Sequence, residues 1–168
     1  SEELGPRRMT VDGKPVADSK ELRRIVEPAA VRLAAERATD ADIAQLEAAF
    51  AGMTQAVKKG GDYVTHDLRF HLGLLTACRN PLLIQMSKAL AALLRTSFEL
   101  STSRKGSAAD SLPLHRAVLD AVIAHKLVKA EKAILALIDC ASEDIDHVLT
   151  SRKRLPRLGQ PASRLKAA

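Results

Sequence analysis

The sequence predicts an all-α fold, an antiparallel bundle of about six helices. Three observations predict it. Apolar residues recur at helical spacing through most of the 168 residues, and no stretch alternates polar with apolar positions for long enough to make a strand. Glycine and proline fall mostly at the joints between the periodic segments. Aromatic residues make up only 2% of the chain, so a core of this size must be built from Leu, Ala, Ile and Val. No repeat at a longer fixed period suggests a solenoid instead.

The first helix is expected to open near Ser19 and run through KELRRIVEPAAVRLAAERA, with Ile25, Val26, Ala29, Ala30, Leu33 and Ala34 as its apolar face. Pro28 removes a backbone donor and crowds the carbonyl one turn earlier, so a bend or a split is expected there. The second helix starts at TDAD, where Thr39 is the N-cap and Asp42 completes a capping box with a shortened acid; Ile43, Leu46, Phe50, Met53 and Val57 follow at helical spacing. KKGG ends it, with Lys58 and Lys59 complementing the helix dipole and Gly60 free to take a left-handed cap. Asp62 caps a third helix carrying YVTHDLRFHLGLLTAC. Asn80 and Pro81 are a natural N-cap and first residue for a fourth, LLIQMSKALAALLRTSFEL, which is apolar on most faces and so expected at the centre. STSRKGSAAD reads as a loop. A fifth helix carries SLPLHRAVLDAVIAH and, after a joint around residues 126–129, a sixth runs through AEKAILALIDCASEDIDHVL.

Length supports one domain with a real core, and no apolar run approaches the roughly 20 residues a membrane span needs. The polar opening SEELGPRRMTVDGKPVADSK has no apolar region of the signal-peptide kind, so a soluble, cytoplasmic protein is expected. Cys78 and Cys140 lie far apart in apolar helical contexts and belong to no CxxC pattern, which reads as reduced core thiols. The formal net charge of +6 comes from residues 151–168, where Arg152, Lys153, Arg154, Arg157, Arg164 and Lys166 meet no acid. The remaining 20 basic residues balance the 20 acids of the chain, all of which precede position 151. A neutral body argues against a basic stripe for nucleic acid on the fold itself. The expected organisation is a flexible segment over 1–19, a helical domain over 20–150 and a flexible basic tail over 151–168.

One stretch carries chemistry. HDLRFH, residues 66–71, places Asp67 and His71 one helical turn apart, roughly 5–6 Å, a spacing that suits two ligands of one ion. His66 faces about 100° away and cannot easily join them. The alternative is that Asp67 pairs with Arg69 or another cation near the helix start. His66, His125 and His147 sit among charged or flanking residues and are expected at the surface.

ELRRIVEPAAVRLAAERATDADIAQL, HDLRFHLGLLTACRNPLL and LPLHRAVLDAVIAHKLVKAEKAILALI, in this order, resemble the C-terminal effector-binding (FCD) domain of FadR-type regulators in the GntR family. The match covers roughly residues 20–149, and SLPLHRAVLDAV followed by LIDCASEDI is most similar to the sugar-acid-responsive branch. The resemblance implies a central ligand pocket that in many members holds a divalent metal gripping a carboxylate effector. It carries over Asp67, His71 and His115 as metal ligands. The position of the fourth ligand is Leu137, which has no donor, so three side chains with water or effector oxygens would hold zinc, nickel or manganese. A permanent ion and one that binds only with effector both stay open. Arg23 matches an arginine that meets the anionic effector, with Glu27 four residues on as its alternative partner. Arg95, Ser97 and Ser101 are further candidates for the pocket, or else mark the end of the fourth helix reaching solvent.

Such regulators act as homodimers on DNA through an N-terminal winged helix-turn-helix domain, which the twenty or so residues before the first expected helix do not provide. The expectation is an effector domain belonging to a longer regulator, with a shortened relative that acts without direct groove contact as the alternative. Two rivals stand beside this reading: a metal-dependent hydrolase built on Asp67, His71 and His115, and a module that only dimerises. The hydrolase lacks sequence support, since no HExxH, glycine-rich phosphate loop, nucleophile elbow or evident general base accompanies the three residues.

Overall fold

Six helices form where the periodic segments lie: α1 (Lys14–Arg37), α2 (Asp40–Lys59), α3 (Tyr63–Ala77), α4 (Pro81–Thr102), α5 (Ser107–Ile123) and α6 (Leu127–Arg154). The structure is a computed structural model that describes residues 14–154, among which there is no strand. Most of the expected N-terminal segment and of the basic C-terminal tail lies outside the described residues.

Local chemistry sets most of the boundaries. Thr39 accepts from the Asp42 amide while the Asp42 carboxylate accepts from the Thr39 amide at 2.9 Å, a closed capping box despite the short acid. Asp62 accepts from the Thr65 amide at 3.0 Å, and Asn80 accepts from Leu82 and Leu83 ahead of Pro81. Gly60 does adopt a positive φ of 79°, but with ψ 165° it leaves the helix in an extended turn rather than a left-handed cap. The α5–α6 corner turns on His125, whose φ is 53°; its amide bonds to the Val122 carbonyl and the Lys126 amide to that of Ala121. The His125 ring also reaches the Ala35 carbonyl at 2.8 Å, so an exposed histidine ties this corner to the end of α1.

Several boundaries and faces differ from expectation for reasons of tertiary contact. α1 opens at Lys14 rather than near Ser19 and runs through Pro28 as one helix. Its inward face is only partly the expected one: Ala30 and Ala34 are buried and Val26 and Leu33 half-buried, but Ile25 is 65% exposed, and Ser19, Arg23 and Glu27 are buried beside Val31. α4 lies at the side of the bundle, not its centre, with only Leu90, Leu94, Phe98 and Ser101 buried and Leu82 75% exposed. The longest element is α6, which packs on α1, α4 and α5. The expected loop 101–110 is mostly helix, because Asp144 of α6 accepts from both Arg104 and the Ser107 hydroxyl, and Arg104 also reaches Asp110 at 2.7 Å. Only Ser103–Gly106 separate α4 from α5.

Pairing between helices fixes the levels of the bundle. Arg24 with Asp139 and Arg32 with Glu131 make α1 and α6 antiparallel. Ser107 with Asp144 does the same for α5 and α6, as the short corner between them requires. α2 and α3 approach closely at Gly52, where a Cβ would stand 2.2 Å from the His66 ring. Two apolar cores result. One gathers Val31, Leu46, Met53, Phe70, Leu119, Ile134 and Ile138; the other gathers Leu75, Leu90, Leu94 and Phe98 with Ala30. Each such large side chain fully buried contributes roughly 1.5–3 kcal/mol. The polar site sits on the seam between the two.

Candidate functional site

α3 turns Asp67 and His71 inward on successive turns, with Phe70 between them locked into the first core. α5 brings His115 against them and α1 brings Arg23 and Glu27; all five polar side chains are buried. Asp67 Oδ1 stands 3.0 Å from His115 Nε2 and 3.4 Å from His71 Nε2. Asp67 therefore pairs with the two histidines and not with Arg69, which is exposed. Ring contacts hold both imidazoles: His115 meets Phe70 edge-on at 5.2 Å, and His71 lies 4.8 Å from Phe98 of the second core.

The other nitrogen of each ring is already engaged. His71 Nδ1 donates to Glu27 Oε2 at 2.8 Å, and His115 Nδ1 donates to the Ser111 carbonyl at 2.9 Å. Each imidazole thus turns Nε2 toward Asp67, the tautomer and orientation that outer partners impose on metal-ligating histidines. One donor atom from each of Asp67, His71 and His115 lies within 4.8 Å of the others. Bonds of about 2.1 Å to a common ion give donor separations of roughly 3.0–3.4 Å, so the two contacts of Asp67 already have that spacing. The donor set, one carboxylate and two imidazoles, suits a divalent transition metal.

Charge is arranged to keep these groups ionised. Burial would push the Glu27 carboxyl up, but Arg23, at 2.7 Å, and His71 outweigh it and hold it at about 2. Burial acts on Asp67 in the same sense and is reversed by His115 and His71, which keep it far below the usual carboxylate range. Burial would lower His71, yet the charge of Glu27 and the contact with Asp67 raise it to about 9. A proton therefore occupies the place on His71 that an ion would take, and the two compete.

Beside this cluster lies a cavity of about 20 Å³, room for a water or an ion. Arg23, Asp67, His71, Ser101, His115 and Leu137 line it, together with Phe98, Thr102, Ser107, Ser111, Ala141 and Asp144. Leu137 presents only carbon, as expected from its type. Arg23 spends Nε on Glu27 and stacks its guanidinium over Phe98 at 4.9 Å; among the described residues its two Nη groups have no hydrogen-bond partner. Arg95 and Ser97 do not line the cavity. They flank the inward stripe of α4, and Arg95 instead approaches Thr65 at 3.4 Å. The reading from sequence missed Asp144, Ser107 and Ser111, and saw Glu27 only as a partner of Arg23. A signal for Asp144 existed: it falls on the inward stripe of α6 defined by Ile134, Leu137, Ile138, Ala141 and Ile145. Among the described residues no helix is long and apolar enough to cross a membrane.

Comparison with known proteins agrees with this architecture. The galactonate operon transcriptional repressor of Escherichia coli (strain K12) is 32% identical over 138 residues, covering 82% of this chain and 60% of the repressor. A solved Streptococcus agalactiae GntR superposes with a TM-score of 0.68 at 23% identity, over 80% of this chain and 62% of that one, which establishes the shared fold. The chain thus spans about three fifths of the length of the relatives it matches. The FCD domain family matches residues 18–139, most of the bundle. The chain belongs to the FCD domain family of GntR-type transcriptional regulators, which are not enzymes.

Proposed function

We propose that this chain is the effector-sensing and dimerisation domain, spanning residues 20–150, of a cytoplasmic GntR-type regulator, and that it binds a small carboxylate, specifically a sugar acid, in the cavity beside Asp67, His71 and His115. The observation that carries this reading is the pair of pinned imidazoles: Glu27 and the Ser111 carbonyl hold both Nδ1 atoms, so that both Nε2 atoms converge on Asp67. Asp67, His71 and His115 are the proposed ligands of a zinc, nickel or manganese ion, with open positions where the family's fourth ligand is replaced by Leu137. When bound, the ion would supply a Lewis-acidic contact for the effector carboxylate. Arg23 supports the same end with its two unengaged Nη groups, whose planar fork suits a carboxylate. The hydroxyls of Ser101, Thr102, Ser107 and Ser111 on the cavity wall suit a hydroxylated ligand. The name of the Escherichia coli relative, which ties it to a galactonate operon, points the same way.

A sugar acid exceeds a cavity of about 20 Å³, so its entry must part the walls. Binding then favours one helix arrangement over another, which is what a sensor requires. DNA contact belongs to a winged helix-turn-helix domain outside this sequence. A homodimer is the proposed assembly; Leu82 and Met86, one turn apart on the outer face of α4 and 75% and 45% exposed, offer it an apolar surface.

The test is metal analysis of protein purified without chelators, followed by thermal melts with a panel of organic acids. A sugar acid should raise the melting temperature by the equivalent of about 2.7 kcal/mol at a hundredfold excess over its Kd, and Arg23→Ala or His115→Ala should abolish the shift. A melting temperature unmoved by every acid, with and without zinc, nickel or manganese, would overturn the reading.

A further inference from the structure

We infer that Asp144 reads the hydroxyl-bearing tail of the ligand, at the end of the cavity away from the histidine cluster, and thereby selects hydroxylated monocarboxylates and sets their direction. The inference rests on the preceding reading that a carboxylate enters this cavity.

Asp144 is 6% exposed, lines the cavity and belongs to no part of the proposed metal site. Its two oxygens each have one donor, Arg104 on Oδ1 and the Ser107 hydroxyl on Oδ2. An ionised carboxylate offers about four acceptor positions, so each oxygen keeps one unfilled. A pair of neighbouring hydroxyls on a ligand supplies two donors at the spacing of two carboxylate oxygens. Asp144 follows Leu137, the cavity residue nearest the level of His115, by seven positions on α6, about 10 Å along the helix. That separation matches the length of an acid several carbons long whose entry has parted the walls, with Ser111 one turn above His115 along the way.

Charge supplies the direction. Arg104 is shared between Asp110 and Asp144, so the Asp144 carboxylate on the cavity wall is only partly neutralised. It repels a carboxylate and attracts hydroxyl donors, while Arg23 does the reverse. A ligand with an acid at both ends therefore fits poorly. The competing account makes Asp144 only an anchor for the α4–α5 corner, and the two accounts differ in which ligands a substitution affects.

The experiment is calorimetric titration of zinc-loaded protein with D-galactonate, hexanoate and the dicarboxylate galactarate, for the unaltered chain and Asp144→Asn. The unaltered chain should bind galactonate best. Asp144→Asn should lose roughly tenfold in galactonate affinity, the worth of a hydrogen bond to a charged group, keep its hexanoate affinity and gain affinity for galactarate. Equal galactonate affinity in the two proteins, or a loss shared equally by galactonate and hexanoate, overturns the inference. Failure of the unaltered chain to bind any of the three acids overturns the sensing reading on which it rests. Should the variant not fold, the unaltered chain answers with D-fuconate, which is galactonate without its terminal hydroxyl: binding about tenfold weaker supports the role of Asp144, and equal binding refutes it.

Discussion

Replacing Glu27 by alanine tests the electrostatic design of the site at its centre. Glu27 is 5% exposed and bridges two buried cations, accepting from Arg23 at 2.7 Å and from His71 at 2.8 Å. Removing it leaves the Arg23 guanidinium buried with only the Phe98 ring beneath it, and breaking a buried ion pair from one side costs about 3–5 kcal/mol. In a chain of this size 1 kcal/mol moves the melting temperature by roughly 2–4 °C, so Glu27→Ala should melt on the order of 10 °C lower. Zinc affinity should fall about 10–100-fold, because His71 loses the partner that orients its ring. The double replacement Arg23→Met with Glu27→Leu should recover most of the stability and none of the zinc affinity, since an apolar pair of similar volume avoids the desolvation cost. Circular dichroism melts and zinc competition with a chelating dye measure both. A Glu27→Ala protein that melts within 1 °C of the unaltered chain and binds zinc equally would refute the argument.

Three further outcomes are expected. Without metal, Glu27 and Asp67, whose carboxyl pKa values are depressed by folding, stabilise the chain above about pH 4.5 and lose that contribution as pH falls toward about 2. His71, raised from 6.5 to about 9, contributes fully below 6.5 and loses its contribution as pH rises through 9; metal-free stability should thus be greatest between about 4.5 and 6.5, while zinc affinity climbs from pH 6 to 9 as the proton leaves, both followed by pH-dependent melts and titrations. Gly52→Ala should cost about 1–3 kcal/mol in denaturant unfolding, because its Cβ would meet the His66 ring at 2.2 Å, and His66→Ala in the same chain should restore most of it. Leu82→Glu with Met86→Glu should leave the melting temperature of the isolated bundle nearly unchanged and convert a dimer to a monomer in sedimentation velocity, since both side chains lie exposed on α4.

Helix number and three of the six helix starts were legible because they depend on nearby residues: Thr39 with Asp42, Asp62 with Thr65, Asn80 before Pro81. The fold class follows from the same periodicity. What sequence could not decide is which face turns inward when that face is polar. α1 carries Ile25 outward and Arg23 and Glu27 inward because the cations and carboxylates of three helices neutralise one another there, and only the Arg23–Glu27 pair is visible along α1 itself, while His71 comes from α3. α4 misled in the opposite sense, its apolar outer residues suggesting a central helix that the bundle does not have. The start of α5 depends on Asp144, 37 residues further on, so its first turn looked like loop. Asp67 and His71 were legible as a pair by spacing alone; His115 came in through family resemblance, and Asp144 through neither.

The chain has no tryptophan and one tyrosine. That tyrosine, Tyr63, is buried and shares a 2.6 Å hydrogen bond with the hydroxyl of Ser111 on the cavity wall. Its ultraviolet emission is therefore an unlabelled optical gauge wired to the cavity: anything that displaces Ser111 alters the hydrogen bonding of the one residue that absorbs in the tyrosine and tryptophan band, where the three phenylalanines are dark.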